Sequence, residues 1–186
     1  MWNSMKRKRS VRNRRARWRL FLILLALLAL LLIWPRTVHL EGLVSPYAIL
    51  VDADSGEAVA EKEADVSIYP ASMTKVMTAL LALEANPDLE QPVTLPEDIF
   101  PELRAEGASM AGFRPGETAT VRDLLYGALL PSGAECCEAL AREVSGSEKA
   151  FVELMNQKAA ELGMRSTHFC NPTGLHDPEH VSTVRD

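Results

Sequence analysis

Nine of the first 19 residues are Lys or Arg (Lys6, Arg7, Lys8, Arg9, Arg12, Arg14, Arg15, Arg17 and Arg19), and none is acidic. The next 15, "LFLILLALLALLLIW" from Leu20 to Trp34, carry no charge at all. A basic flank running into an uninterrupted apolar stretch is the pattern of membrane insertion, with the basic side held in the cytoplasm. As a helix the stretch is about 22 Å long at about 1.5 Å per residue, short against a hydrocarbon core of about 30 Å. Trp18 and Trp34 stand where the two interfaces would be, and the Arg side chains can snorkel. A cleaved signal peptide is the competing reading, but "PRTVHLEG" after Trp34 offers no small-x-small cleavage site. The expectation is an uncleaved anchor in a single-pass protein of the cell membrane. It has a basic cytoplasmic tail at 1–19, a transmembrane or signal-anchor helix at 20–34, a linker at 35–45, and an extracytoplasmic domain over 46–186.

The tail hides the character of the rest. Of the 20 Lys and Arg in the chain nine lie in it, which leaves 11 to face all 25 Asp and Glu. A basic tail alone would suggest nucleic acid, but one that leads into an apolar run ahead of an acidic domain does not, and no nucleic-acid partner is expected. With 47% apolar and 24% charged residues the remainder is globular in composition. A chain of 186 residues holds one domain with a real core, not comfortably two. Cys136, Cys137 and Cys170 read as small buried apolar side chains. Were they oxidised, one of the adjacent pair would join Cys170. Neither the cysteines nor the four histidines have metal-ligand spacing, so no metal site is expected.

"YAILVDADSGEAVAEK" reads as a β-hairpin, with strands at 47–53 and 57–62 and a turn at Asp54-Ser55-Gly56. Pro70 precedes a helix at 72–85 that Asn86-Pro87 ends. Met73, Val76, Met77, Leu80, Leu81 and Leu83 cover nearly every face of it, which predicts a central helix buried all round. Residues 91–117, rich in Pro and Gly, read as a connection with one short strand. Thr120 with Asp123 three residues on predicts a capped helix that stops at Pro131-Ser132-Gly133. A helix at about 134–144 follows, then another capped by Ser147 and ended by Gly163. Two early strands in largely helical sequence make an α+β domain. A lone hairpin is not a stable sheet, so partner strands are expected later in the chain.

The chemistry concentrates in "YPASMTKVMTALLALE". Positions i and i+3 are neighbours on a helix, so Ser72 and Lys75 share a face. A serine at a helix start gains from the positive end of the dipole, which favours a developing oxyanion. A lysine held among apolar residues loses its proton more readily and can then take the hydroxyl proton. The pair reads as nucleophile and base, and otherwise as a capping serine and a snorkelling lysine. In "LLPSGAE", Ser132 lies between two helices, where it either caps a helix or faces Ser72 and relays a proton.

"YPASMTKVMTALLALE", "GFRPGETATVRDLLYGALLPSGAE" and "LGMRSTHFCNPTGLHDPEHVST" closely resemble, in order over about residues 45–186, the D-alanyl-D-alanine carboxypeptidases. These are the low-molecular-weight penicillin-binding proteins of the S11 serine peptidase type. The resemblance implies a transpeptidase/β-lactamase-like α+β domain, here a helical cluster with an incomplete antiparallel sheet. It implies an acyl-enzyme route in which serine attacks a peptidoglycan stem peptide at the penultimate D-Ala carbonyl and water hydrolyses the ester. β-Lactam antibiotics would act as acylating inhibitors, and no cofactor or metal is implied. The Ser-x-x-Lys pair maps onto Ser72 and Lys75. Ser132, Gly133 and Ala134 map onto the second motif, Ser132 as a catalytic group, Gly133 and Ala134 on the substrate side.

This sequence departs from the pattern in four places. The second motif is Ser-x-Asn in the family, whereas Ala134 has no side chain to bind substrate or hold Lys75, and the adjacent Glu135 is no obvious substitute. The third motif, Lys-Thr-Gly on a strand after "NP-x-GL", does not occur within the 186 residues. The expectation is therefore a truncated chain, inactive alone. The histidine usual in "NPHGL" is Thr173, and the anchor is N-terminal where the family's is a C-terminal amphipathic helix. Two other readings stay open. One is a degenerate protein that binds wall peptides without turnover. The other is a structural membrane protein whose Ser-x-x-Lys is incidental.

Overall fold

The computed structural model describes residues 18, 23–25, 38, 40 and 42–186. It divides into two units, Met1–His39 and Leu40–Asp186. The expected anchor at 20–34 falls outside the described residues except at 23–25, which are helical. Among the described residues no helix is long and apolar enough to cross a membrane. The second unit is α+β: a cluster of helices with two small antiparallel sheets.

Strands β1 (Ala48–Val51) and β2 (Ala58–Lys62) form the hairpin, with a register irregularity between Leu50 and Val51. Both strands are shorter than 47–53 and 57–62 because the turn begins earlier than expected. Asp52 Oδ1 accepts from the Ser55 amide and hydroxyl, both at 2.8 Å, and from the Asp54 amide at 3.2 Å, which gathers the chain from residue 52 onward. No later strand joins the hairpin among the described residues. The C-terminal stretch instead bridges Ile68 to Ser182 and His168 to Val181. It meets the hairpin through Arg185, which grips Glu61 and Asp65.

A 3-10 turn at Ala71–Met73 leads into helix α1 (Thr74–Ala85), so Ser72 sits in the turn and Lys75 in the helix proper. Asn86 ends α1 by turning its side-chain amide back to the Ala82 carbonyl at 2.8 Å. The prediction of burial on all sides is corrected. Met77, Ala79, Leu81 and Ala82 are buried, but Val76 is 64% exposed, Met73 61% and Leu83 48%. Other helices and the 170–180 segment cover most of α1 and leave exposed an apolar stripe at Met73, Val76 and Leu83.

The connection after α1 holds more structure than its Pro and Gly content suggested. Strand β3 (Pro92–Thr94) pairs with β4 (Thr118–Thr120), and between them lies helix α2 (Ile99–Ala105). Pro101 does not prevent α2 because it falls in the first turn, where no intrahelical amide bond is lost. Helix α3 (Val121–Leu129) starts at a reciprocal capping box between Thr120 and Asp123. Helix α4 (Ala134–Ser145) ends at Gly146 in the left-handed conformation. Helix α5 (Glu148–Leu162) is capped by Ser147, whose hydroxyl accepts from the Ala150 amide, and closed by Gly163.

Two apolar clusters flank α1. One joins α1 to α2, α3, α4 and β3 through side chains such as Val93, Phe100, Leu124 and Leu140. The other joins α1 to α4 and α5 through Met77, Leu81, Phe151, Met155 and Phe169. Each fully buried large side chain contributes about 1.5–3 kcal/mol, so the two clusters clamp α1 and with it the Ser72–Lys75 segment.

Candidate active site

Ser72 Oγ accepts two hydrogen bonds, from Lys75 Nζ at 3.2 Å and from Ser132 Oγ at 2.9 Å. Three side chains singled out from sequence, 60 residues apart between the two serines, therefore meet at one oxygen. Lys75 is only 4% exposed. Its ammonium donates a further bond to the Thr173 carbonyl at 2.6 Å. Burial pushes Lys75 below its ordinary pKa, and neighbouring Cys137 and Glu135 oppose that shift. The favoured direction is toward a neutral amine beside a hydroxyl, which is what a proton acceptor needs.

Backbone strain marks both serine segments. Among the described residues three other than glycine have positive φ: Glu63, Ala71 at 47° and Ser132 at 62°. The last two are the residue before Ser72 and the second serine itself. Such conformations cost about 1–3 kcal/mol each and persist where the surroundings over-determine them. Here the surroundings are tight. A Cβ on Gly174 would overlap the Ala71 carbonyl oxygen, so only glycine lets the 171–174 turn lie against the backbone that carries Ser72. A Cβ on Gly133 would come within 2.6 Å of Ala111 Cβ and 2.8 Å of the Gly127 carbonyl.

Gly133 and Ala134, expected on the substrate side, are both buried. The Gly133 amide donates to Gly127 O and the Ala134 amide to Ser109 O, each at 2.8 Å. Neither has an amide donor left for a bound molecule. Ala134 is part of the apolar core. Glu135 is fully buried; its Oε1 accepts from the Ala111 and Gly112 amides at 2.8 and 2.9 Å, while Oε2 has no partner. This carboxylate fixes the loop that backs Gly133, a role that its neighbour Ala134 gave no reason to expect.

Sequence reading missed the far wall. Asn171 Oδ1 gathers the Thr173 amide, the Thr173 hydroxyl and the Gly174 amide within 3.2 Å, and this turn presents the Thr173 carbonyl to Lys75. Thr78 Oγ1 donates to the Pro172 carbonyl at 2.6 Å. Thr74 Oγ1 meets His180 Nε2 at 2.8 Å, and His180 Nδ1 accepts from the Cys170 amide. His180 therefore carries its hydrogen on Nε2 and donates to Thr74, and burial lowers its pKa. One face of α1 is thus tied to 170–180 at three consecutive polar positions. The available signal was that Thr74, Lys75 and Thr78 are polar residues on one stripe of an apolar helix.

All three cysteines are free. Cys136 and Cys137 are wholly buried, and burial raises both thiols, Cys137 to about 12. Cys170 is raised to about 11.

Residues 36–186 match the peptidase S11 family, described as D-alanyl-D-alanine carboxypeptidase. The chain is 38% identical over 139 residues to the D-alanyl-D-alanine carboxypeptidase DacF of Bacillus subtilis, covering 75% of this chain and 36% of that protein. It superposes on penicillin binding protein 6B of Escherichia coli with a TM-score of 0.75 and 28% identity, over 81% of this chain and 49% of that one. For penicillin binding protein 5 of Haemophilus influenzae the TM-score is 0.73 and the identity 30%, over 80% and 44%. The chain thus spans less than half the length of each of these relatives.

Proposed function

This chain belongs to the peptidase S11 family of D-alanyl-D-alanine carboxypeptidases, and from that premise we propose that it forms the serine-bearing part of an enzyme that trims peptidoglycan stem peptides. The observation that carries the reading is the convergence of Lys75 Nζ and Ser132 Oγ on Ser72 Oγ. Neutral Lys75 takes the hydroxyl proton as Ser72 Oγ adds to the penultimate D-Ala carbonyl. The C–N bond breaks, and Ser132 passes the proton from Lys75 to the departing amine of D-Ala. Water then adds to the ester carbonyl as Lys75 takes one of its protons, the C–Oγ bond breaks, and that proton returns to Ser72 Oγ. The peptide acid gives its remaining proton to solvent and leaves as a carboxylate. The oxyanion donors on this route include the Ser72 amide. A β-lactam enters the same path and stops at the ester.

The basic tail 1–19, the anchor 20–34, the linker 35–45 and a catalytic region over 46–186 complete the proposal, with the catalytic region outside the cytoplasm. The support is the charge asymmetry of the first 34 residues. A second reading, a wall-peptide binder without turnover, is favoured by Ala134, which is apolar and buried where the family motif has a polar side chain. The test is fluorescent-penicillin labelling and D-Ala release by the protein made from its own gene, each with Ser72→Ala. Labelling and release that both need Ser72 support the enzyme. Labelling without release selects the binder. No Ser72-dependent labelling defeats both.

A further inference from the structure

A cavity of about 230 Å³ opens between α2, α4, the start of α5 and the 170–177 turn. Five carboxylates line it: Glu102, Glu106, Glu138, Glu148 and Asp177. They face one guanidinium, Arg142, which is already held by both oxygens of Asp98 at 2.9 and 2.8 Å. His176 and Cys170 are the remaining titratable groups on the wall.

Glu138 separates this cavity from an ordinary acidic surface. It is 6% exposed and forms neither a hydrogen bond nor an ion pair with any described residue. Its oxygens are not sealed in, because Glu135 Oε2 is the one fully enclosed side-chain oxygen without a partner among the described residues. The carboxylate therefore meets the outside through the cavity that it lines. Burying a carboxylate with no partner is expensive. Burial, with repulsion from Glu148 next, raises Glu138 to about 8.

We propose that this cavity is a binding site for a primary ammonium on an alkyl stem, with Glu138 as its principal counter-charge. Among the described residues no group of three or more His, Cys, Asp and Glu has the arrangement to hold a metal ion, which favours an organic cation as the occupant. Ile99, Leu103 and Leu175 supply apolar wall for a methylene stem. The volume lies below the about 300–1,000 Å³ of drug-sized pockets and suits one extended amine. Two sources share this chemistry, a free diamine and a lysine side chain of a peptide. The cavity shares the 170–177 turn with the Ser72 site, but Ser72, Lys75 and Ser132 are not among the residues that line it.

The experiment is calorimetric titration of the full chain, in non-ionic detergent, with 1,5-diaminopentane and with Nα-acetyl-lysine amide. Pentane-1,5-diol serves as the uncharged control. Saturable binding of either amine, absent for the diol, is expected. Below about pH 8 it should release a proton, read from the dependence of the heat on buffer ionisation. Glu138→Gln, close in shape and without charge, should weaken binding about tenfold or more, while Glu90→Gln, outside the cavity, should not. Glu148→Gln gives a second, milder loss should Glu138→Gln fold poorly. Tighter binding of the diamine identifies a free amine as the ligand, and tighter binding of the capped lysine a side chain. The proposal is overturned by the absence of saturable amine binding, by equal affinity in Glu138→Gln, or by calcium or magnesium binding tighter than either amine with the same dependence on Glu138.

Discussion

The Thr173 carbonyl accepts from Lys75 Nζ at 2.6 Å, shorter than the 3.2 Å between Lys75 and Ser72. The lysine is therefore moored to the 171–174 turn, and the serine meets it from the other side. That mooring holds only while the turn lies against Ala71. Gly174→Ala should push the turn away from the Ala71 carbonyl. We expect a loss of about 1–3 kcal/mol, the usual cost of overpacking, and a fall in penicillin labelling that exceeds the unfolded fraction. Chemical denaturation and labelling on one preparation separate the two. Unchanged labelling would show that the turn is not what positions Lys75.

Lys75 gives a prediction with a sign. Its pKa is lowered chiefly by burial, and the neutral amine is the reactive form. Labelling at Ser72 should therefore rise with pH and level off below 10.5, the ordinary lysine value. Lys75→Met should slow labelling by about 100-fold or more. Its stability should stay level or rise, since a buried charge is removed. A pH-independent labelling rate would remove Lys75 from the role of base.

Ala134→Asn restores the polar side chain that the family motif has, but the fold has no room for it. Ala134 is 1% exposed within the core. Overpacking there should cost about 1–3 kcal/mol. A melting temperature equal to the parent's would mean that the side chain finds a path toward Ser72.

These outcomes track how the structure was and was not legible. Contacts local in sequence could be read: the Thr120–Asp123 capping box, the Ser147 cap, the glycine end of α5, and the Ser72–Lys75 pair one turn apart. Helix α2 was hidden because Pro101 reads as a breaker unless its place in the first turn is known. The even apolar cover of α1 could not reveal which side lacks a neighbour, since periodicity reports the helix and not its surroundings. The Thr173 carbonyl lies 98 residues from Lys75, and a backbone acceptor leaves no signature in side-chain pattern. Ala134 and Glu135 could be read as a missing asparagine, not as a core position and a loop clamp.

Thiol chemistry should be confined to one residue. Cys136 and Cys137 are enclosed and neutral, and Cys170 is partly accessible with a raised pKa. Under native conditions a thiol reagent should modify Cys170 alone and slowly, with all three reacting in denaturant. Mass mapping after alkylation reads this directly, and rapid native modification of Cys137 would contradict the packing of α4.

Arg185 is the ionic tie between the C-terminal stretch and the hairpin, through Glu61 and Asp65. All three groups are exposed to solvent, so screening should leave the pairs little global weight. Arg185→Ala is expected to speed amide exchange in β1 and β2 while the exchange of α4 stays unchanged. Equal acceleration in α4 would mean that the hairpin and the helices unfold as one unit.

Glu138 sets the last expectation. Its pKa is raised from an ordinary 4.5 to about 8, by burial first and repulsion from Glu148 second. Between those values the folded chain keeps a proton that the unfolded chain releases. The contribution to stability is therefore complete below about 4.5 and lost as pH rises to about 8. Glu148, also raised, acts in the same sense. His180, lowered by burial, acts in the opposite sense, disfavouring the fold as pH falls below 6.5. The raw pH profile therefore mixes signs, and the difference between Glu138→Gln and the parent isolates one group. The variant should gain on the parent from about pH 4.5 and level off at about pH 8, measured as melting temperature at fixed ionic strength. A saturating alkylammonium should shrink the gap at the alkaline end by stabilising the parent alone. A pH-independent gap would mean that Glu138 is not the group that titrates in the cavity.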